Sequence, residues 1–219
     1  INRQTSFLCE RVFLPDPADE ALLGGKSVPL LTLESQRSLA DFDIIAFSLP
    51  YENDYPHILK MLDMGRIPLS ADERNERHPL VLGGGIAVTL NPEPLADFFD
   101  CFLLGEGEET VPEFLRIFAD ARRRGLTRPA ILSGIQADVK GAYVPSCYEV
   151  TYKKNNLIAT RTPRAPSFPA AIKTGKVADI SAFTTEQCIT TADTEFGDMF
   201  LGEASRGCRR GCRFCAAGF

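Results

Sequence analysis

Three short, nearly continuous apolar runs mark the first half of the chain: Asp43-Ile-Ile-Ala-Phe-Ser-Leu49, Pro79-Leu-Val-Leu82 and Asp100-Cys-Phe-Leu-Leu104. Each stops at a proline or small-residue turn, as strands buried on both faces do, so together they predict a parallel sheet covered by helices. Between the first two runs Asn53 or Asp54 offers a cap, Pro56 enters the first turn, Ile58, Leu59 and Leu62 share one face, and Gly65 follows. That pattern predicts an amphipathic helix. After the third run Val111, Phe114, Leu115, Ile117 and Phe118 predict another, closed by Arg122-Arg-Arg124 and Gly125. Arginines at that end complement the helix dipole, and we read them as structural rather than as RNA contacts. An earlier strand is predicted at Val12-Phe13-Leu14. The expectation is an α/β fold over residues 1–135, an open parallel sheet with helices on both faces.

Residues 136–196 change character. Tyr143-Val-Pro-Ser-Cys-Tyr-Glu-Val-Thr-Tyr152 alternates enough to predict a small hairpin with Lys153-Lys-Asn-Asn156 as its turn. The proline-rich run Arg161 to Pro169 then reads as a bridge rather than a core. Gly197 to Glu203 is predicted to be the first strand of a second domain, residues 197–219, that delivers the loop behind it at its carboxyl end.

The chain has 219 residues, 44% of them hydrophobic, enough for one ordinary core and part of another. It starts at Ile1 and ends four residues after its last cysteine, and we expect it to be an amino-terminal fragment. No run reaches the roughly eighteen apolar residues of a membrane span. A net charge of −5 argues against a surface coated with nucleic acid and leaves only a local RNA site open. Seven irregularly spaced cysteines do not make a secreted disulfide framework, so a reducing cytoplasm is expected. Cys9, Cys101, Cys147 and Cys188 read as buried or incidental thiols.

The other three, Cys208, Cys212 and Cys215, stand in Glu203-Ala-Ser-Arg-Gly-Cys-Arg-Arg-Gly-Cys-Arg-Phe-Cys-Ala-Ala-Gly-Phe219, separated by three and then two residues. Three close ligands suit an iron-sulfur cluster with one iron left free, whereas structural zinc asks for four. A zinc site completed by Cys188 or by a residue after Phe219 is the alternative, as is a redox relay. Gly207 and Gly211 precede the first two cysteines, where a missing Cβ lets backbone wrap closely round a cluster. Arg206, Arg209, Arg210 and Arg213 favour thiolate and offset a cluster's negative charge.

The Cys-x3-Cys-x2-Cys run, with an aromatic residue before its last cysteine, resembles the signature of the radical S-adenosylmethionine (radical SAM) enzymes. Upstream, Phe47-Ser-Leu-Pro-Tyr-Glu, Gly83-Gly-Gly, Asn91-Pro-Glu-Pro-Leu-Ala-Asp-Phe-Phe-Asp and Gly105-Glu-Gly-Glu-Glu109 are similar to the amino-terminal domain of one branch of that family. That branch carries a Rossmann-like, cobalamin-binding-type domain ahead of a radical SAM (β/α) barrel. The resemblance implies that Cys208, Cys212 and Cys215 hold a [4Fe-4S] cluster whose open iron takes S-adenosylmethionine. Reductive cleavage would then make a 5′-deoxyadenosyl radical that abstracts hydrogen from a substrate not written in the sequence. It implies Phe214 as the aromatic beside the adenine, Gly211 in the cluster loop, and an electron donor such as flavodoxin or ferredoxin. A tRNA methylthiotransferase relative is a further candidate, although Cys9, Cys101 and Cys147 lack the pattern of its second cluster. A non-catalytic zinc or electron-transfer module is the alternative from another class.

In an open α/β sheet the ligand crevice lies beyond the carboxyl ends of the strands, where this chain has Ser48-Leu-Pro-Tyr-Glu52, Gly83-Gly-Gly85 and Gly105-Glu-Gly-Glu108. By resemblance Ser48, Gly83 and Gly84 would leave room for cobalamin's nucleotide tail, but the Asp-x-His-x-x-Gly motif that ligates cobalt is absent. His57 and His78 read as surface residues. The Gly105-Glu-Gly-Glu-Glu109 turn is too acidic for phosphate and reads first as a self-capped helix start. A polar contact from Glu106 to cofactor hydroxyls, or to a neighbouring domain, is its second reading.

Overall fold

The computed structural model describes residues 1–2, 6–25, 28–187, 190, 197–204 and 206–215. The chain divides into two compact units, Ile1–Lys176 and Val177–Phe219.

The first unit is α/β. After helix α1 (Pro17–Gly25), strand β1 (Ile44–Ser48) leads to helix α2 (Tyr55–Met64), β2 (Leu80–Gly84), the short helix α3 (Ile86–Leu90) and β3 (Cys101–Leu103). Helices α4 (Gly107–Arg123) and α5 (Arg128–Asp138) follow, then β4 (Ala142–Tyr143). The four strands lie in the order β1-β2-β3-β4, the first three parallel and flanked by helices. β4 runs antiparallel to β3 instead of extending the parallel set. Two successive helices, α4 and α5, pack on each other between these strands. A single crossover would return the chain for a parallel strand, and a second helix turns it round again.

Burial follows the apolar runs. Val81 and Phe102 are fully buried, and Leu80, Leu82, Cys101 and Leu103 nearly so. On the helices, Ile58 and Leu62 of α2 and Phe114, Leu115 and Phe118 of α4 turn to the same core. α2 ends at Gly65 and α4 is followed by Gly125, which has φ of +67°. The segment Val12-Phe13-Leu14 joins no strand ladder. Neighbouring Arg11 is tied by its carbonyl to the Leu33 amide, and by its amide and guanidinium to Glu34.

An aromatic row crosses the sheet. Register places Phe47 opposite Gly83, Gly83 opposite Phe102, and Phe102 opposite Tyr143. Phe99 stacks on Phe102 at 4.9 Å and meets Phe47 edge-on at 5.8 Å, so its ring fills the gap over Gly83.

The predicted hairpin divides in two. Tyr143 belongs to the main sheet, while β5 (Tyr148–Tyr152) and β6 (Ile158–Pro163) form a separate antiparallel pair turning at residues 153–157. In the second unit, residues 197–203 form no strand. Gly202 makes one isolated antiparallel bridge to Glu186.

Candidate metal centre

The cysteine segment is an exposed loop built from turns. Cys208 and Cys212 are exposed and Cys215 is partly covered. The Cys215 amide donates to the Cys212 carbonyl at 3.1 Å, which curls the last two ligand positions toward each other. Gly207 (φ +80°) and Gly211 (φ +58°) occupy the left-handed region where side chains are disfavoured, so the two glycines that precede cysteines are needed for the local path. Arg206 grips Glu203 with Nε and Nη2, both at 2.8 Å, and these bonds hold the Glu203 carboxyl below the ordinary carboxylate range. Phe214 is 93% exposed.

Among the described residues no three metal-ligating side chains are gathered round one point. The donor set nevertheless suits a cluster. Three thiols lie within eight residues, two of them open to an incoming metal, on a backbone whose left-handed glycines allow it to wrap. Cys188, the alternative fourth ligand, lies outside the described residues. Of the other described thiols, Cys9 is exposed, whereas Cys101 and Cys147 are buried. Burial pushes the Cys101 thiol far up, and it pushes that of Cys147 up to about 11. Neither suits metal at neutral pH.

The residues expected to line a cofactor crevice sit at the carboxyl ends of β1, β2 and β3, and of the glycines there Gly83 is closed in. A Cβ on Gly83 would stand 2.7 Å from the Phe102 ring and 3.0 Å from that of Phe99. Beside Ser48, the Leu49 amide donates to the Gly84 carbonyl at 2.8 Å. Glu106 takes the cap position of α4 without a side-chain cap bond, and its amide donates to the Gly175 carbonyl at 2.9 Å. Glu108 and Glu109 occupy the first turn, where negative charge suits the dipole. His57 is exposed beside Asp54, and the half-buried His78 accepts the Asn75 amide at Nδ1. Rings of the chain thus take up the space over Gly83, whereas a Cβ on Gly84 would meet only the Leu103 carbonyl at 3.7 Å and Ser48 is exposed.

One buried polar centre had no motif to announce it. Asp100, at the entrance to β3, receives on one carboxylate oxygen the Val81 amide at 2.7 Å and the guanidinium groups of Arg74 and Arg128, each at 2.8 Å. Arg74 also donates to the carbonyls of Pro68, Leu69 and Phe98, and Arg128 to those of Asn75, His78 and Pro79. Burial presses the Arg74 pKa down and Asp100 opposes it. The centre is a clamp that ties the loop between α2 and β2 to the start of α5. The only hint in the sequence is arginine within the polar stretch 71–78 and before Pro129.

Residues 1–145 match the family described as radical SAM proteins, N-terminal. The chain therefore belongs to the radical SAM proteins. It is 28% identical over 191 residues to the uncharacterized protein MJ0966 of Methanocaldococcus jannaschii. That match covers 87% of this chain but about a third (34%) of the relative's length. No solved structure matches. Among the described residues no helix is long and apolar enough to cross a membrane.

Proposed function

We propose that this chain is the cluster-bearing portion of a radical SAM enzyme in which Cys208, Cys212 and Cys215 hold a [4Fe-4S] cluster and leave one iron for S-adenosylmethionine. The carrying observation is the trio's spacing within a chain whose first 145 residues match the family. When bound, the cluster would supply the electron for reductive cleavage of S-adenosylmethionine and so for hydrogen abstraction from a substrate. The three cysteines bind as thiolates. Gly207 and Gly211 let their amides approach the sulfurs. Arg209, Arg210 and Arg213, all exposed, offset the charge that the thiolates bring. Phe214, exposed next to Cys215, offers a face for the adenine of S-adenosylmethionine. A small electron carrier such as flavodoxin or ferredoxin would be the reductant, and the cytoplasm the compartment. Methyl transfer through cobalamin forms no part of the proposal, because the Asp-x-His-x-x-Gly motif is absent from the sequence and rings of the chain fill the space over Gly83.

The test is electron paramagnetic resonance of the anaerobically reconstituted, reduced full-length protein, with and without S-adenosylmethionine. We expect a four-iron signal that shifts when S-adenosylmethionine is added and is absent from Cys212→Ala. A cluster signal indifferent to S-adenosylmethionine would assign electron transfer instead, and tightly held zinc without iron would assign a structural module.

A further inference from the structure

An open parallel sheet binds its ligand beyond the carboxyl ends of its strands, using empty volume and unpaired backbone amides. In this chain the end of β3 is taken up from within. Beyond β3 the segment Ala170–Lys176 runs across the strand end as a strap. Its Gly175 pairs in parallel with Gly105, donates to the Leu104 carbonyl at 2.7 Å and accepts from the Glu106 amide at 2.9 Å.

The approach is close enough to require three glycines. A Cβ on Gly105 would lie 2.2 Å from the Gly175 carbonyl oxygen, and one on Gly141 would lie 2.8 Å from the Leu104 oxygen and 2.9 Å from the Gly175 nitrogen. One on Gly175 itself would meet Thr110 Oγ1 at 2.7 Å. Gly105 and Gly141 also have φ of +105° and +81°, so each is required twice over.

The β1 and β2 ends are closed separately. Gly85 (φ +105°) sits against the Leu49 backbone, at 2.6 Å from its carbonyl oxygen for an added Cβ. That carbonyl accepts the Ala87 amide at 3.1 Å. Thr89 Oγ1 donates to the Gly85 carbonyl at 2.8 Å and accepts the Gly105 amide at 3.1 Å, stitching the second strand end to the third.

The strap is also fastened at its start. Tyr148 Oη donates to the Pro169 carbonyl at 2.9 Å, and Arg161 donates to that of Ala170 at 3.3 Å while lying over the Tyr143 and Tyr148 rings. Phe168 and Ile172 pack against the core.

We propose that Ala170–Lys176 is a built-in occupant of the crevice, so that this α/β domain works without cobalamin and instead fixes the start of the segment that leads in sequence to Cys208. This deepens the reading under Proposed function by defining its cofactor set, and the strap itself does not depend on the cluster.

The experiment uses the 219-residue chain incubated with hydroxocobalamin, desalted, and assayed for corrin absorbance and for iron in the same sample, with amide hydrogen exchange measured alongside. We expect corrin at background, and amides of Gly175 and Glu106 protected like that of Leu104. In Arg161→Ala, which removes the bond to Ala170 and the guanidinium over Tyr143 and Tyr148, exchange at Gly175 should rise on the order of tenfold while Val81, in the middle of β2, is unchanged. Corrin near one equivalent in the wild-type chain would overturn the proposal. So would a Gly175 amide that exchanges as fast as the turn at residues 153–157. Failure of the cluster reading registers separately, as absent iron or an indifferent paramagnetic signal.

Discussion

The two units of this chain differ in where their order comes from. Ile1–Lys176 contains every buried hydrophobic residue among those described, from Leu30 to Tyr148, together with the Asp100 clamp and the aromatic row. Val177–Phe219 contributes none, and instead exposes Met199, Phe200, Leu201 and Phe214. A region with its own core is held by burial, at about 25 cal/mol for each Å² of apolar surface removed from water. A region without one is ordered by what it binds, and metal binding to cysteines is a well-attested source of such order because its free energy becomes folding free energy. The proposed cluster ligands thus lie in the unit that has no buried hydrophobic residue among those described.

The largest expected effect would break the comparison at its weaker side. Replacing Cys212 by alanine should remove the cluster completely, yet leave the denaturant midpoint of the α/β unit where it was. Thiol labelling reads the same contrast in the unloaded chain. Cys208 and Cys212 should react within the first minutes, whereas Cys101 and Cys147 should wait for global unfolding. Cluster loading should then protect the first pair. Early labelling of Cys101 would show that the two units do not differ in this way.

The next effect is confined to the packed unit. Asp100→Asn leaves two buried guanidinium groups facing an amide, and loss of one partner from a buried ionic group typically costs about 3–5 kcal/mol. Urea unfolding should show that loss, with iron content per folded chain unchanged. Smaller again is Gly83→Ala. Its methyl would press on Phe102 and Phe99 in the middle of the sheet, and overpacking of this kind costs roughly 1–3 kcal/mol. If Gly83 instead faced open space, the substitution would be neutral, and the account of the filled crevice would lose one of its supports.

What could be read in the sequence follows the same division. Ile44–Ser48, Leu80–Gly84 and α4 were legible because their signals are local: an apolar run, a turn residue at its end, a charged last turn. The cysteine spacing was legible for the same reason. The Asp100 clamp was not, since it joins residues 26 and 28 positions apart that individually look like surface polar groups. Gly83 carried a true signal, a required absence of Cβ, but a sequence does not say what fills the space, and here it is Phe99 and Phe102. The strap escaped because Gly175 stands in a short stretch without periodicity that follows the proline-rich run, and its partners Gly105 and Gly141 are distant in the chain. At residues 197–203, where a strand was expected, the described residues form one isolated bridge, from Gly202 to Glu186.

The smallest expected effect concerns Glu93, from the Asn91-Pro-Glu-Pro segment, whose Oε1 accepts the buried Tyr143 hydroxyl at 2.5 Å. Burial, and then Glu93, raise the Tyr143 pKa well above its ordinary value of 10.0. The folded chain therefore keeps a proton that the unfolded chain releases, so this contribution is intact below about pH 10 and declines as pH rises further. The Cys147 thiol adds a decline of the same sign between its ordinary 9.0 and about 11. Glu93→Gln retains an acceptor but not the charge, and should cost about 0.5–1.5 kcal/mol at neutral pH. Its alkaline decline should persist, because burial is the larger cause of the Tyr143 shift and the substitution leaves it in place. Unfolding free energies measured from pH 7 to 11 in both proteins separate the two causes. Disappearance of the decline in Glu93→Gln would make the carboxylate, and not the packed aromatic row, the source of the shift.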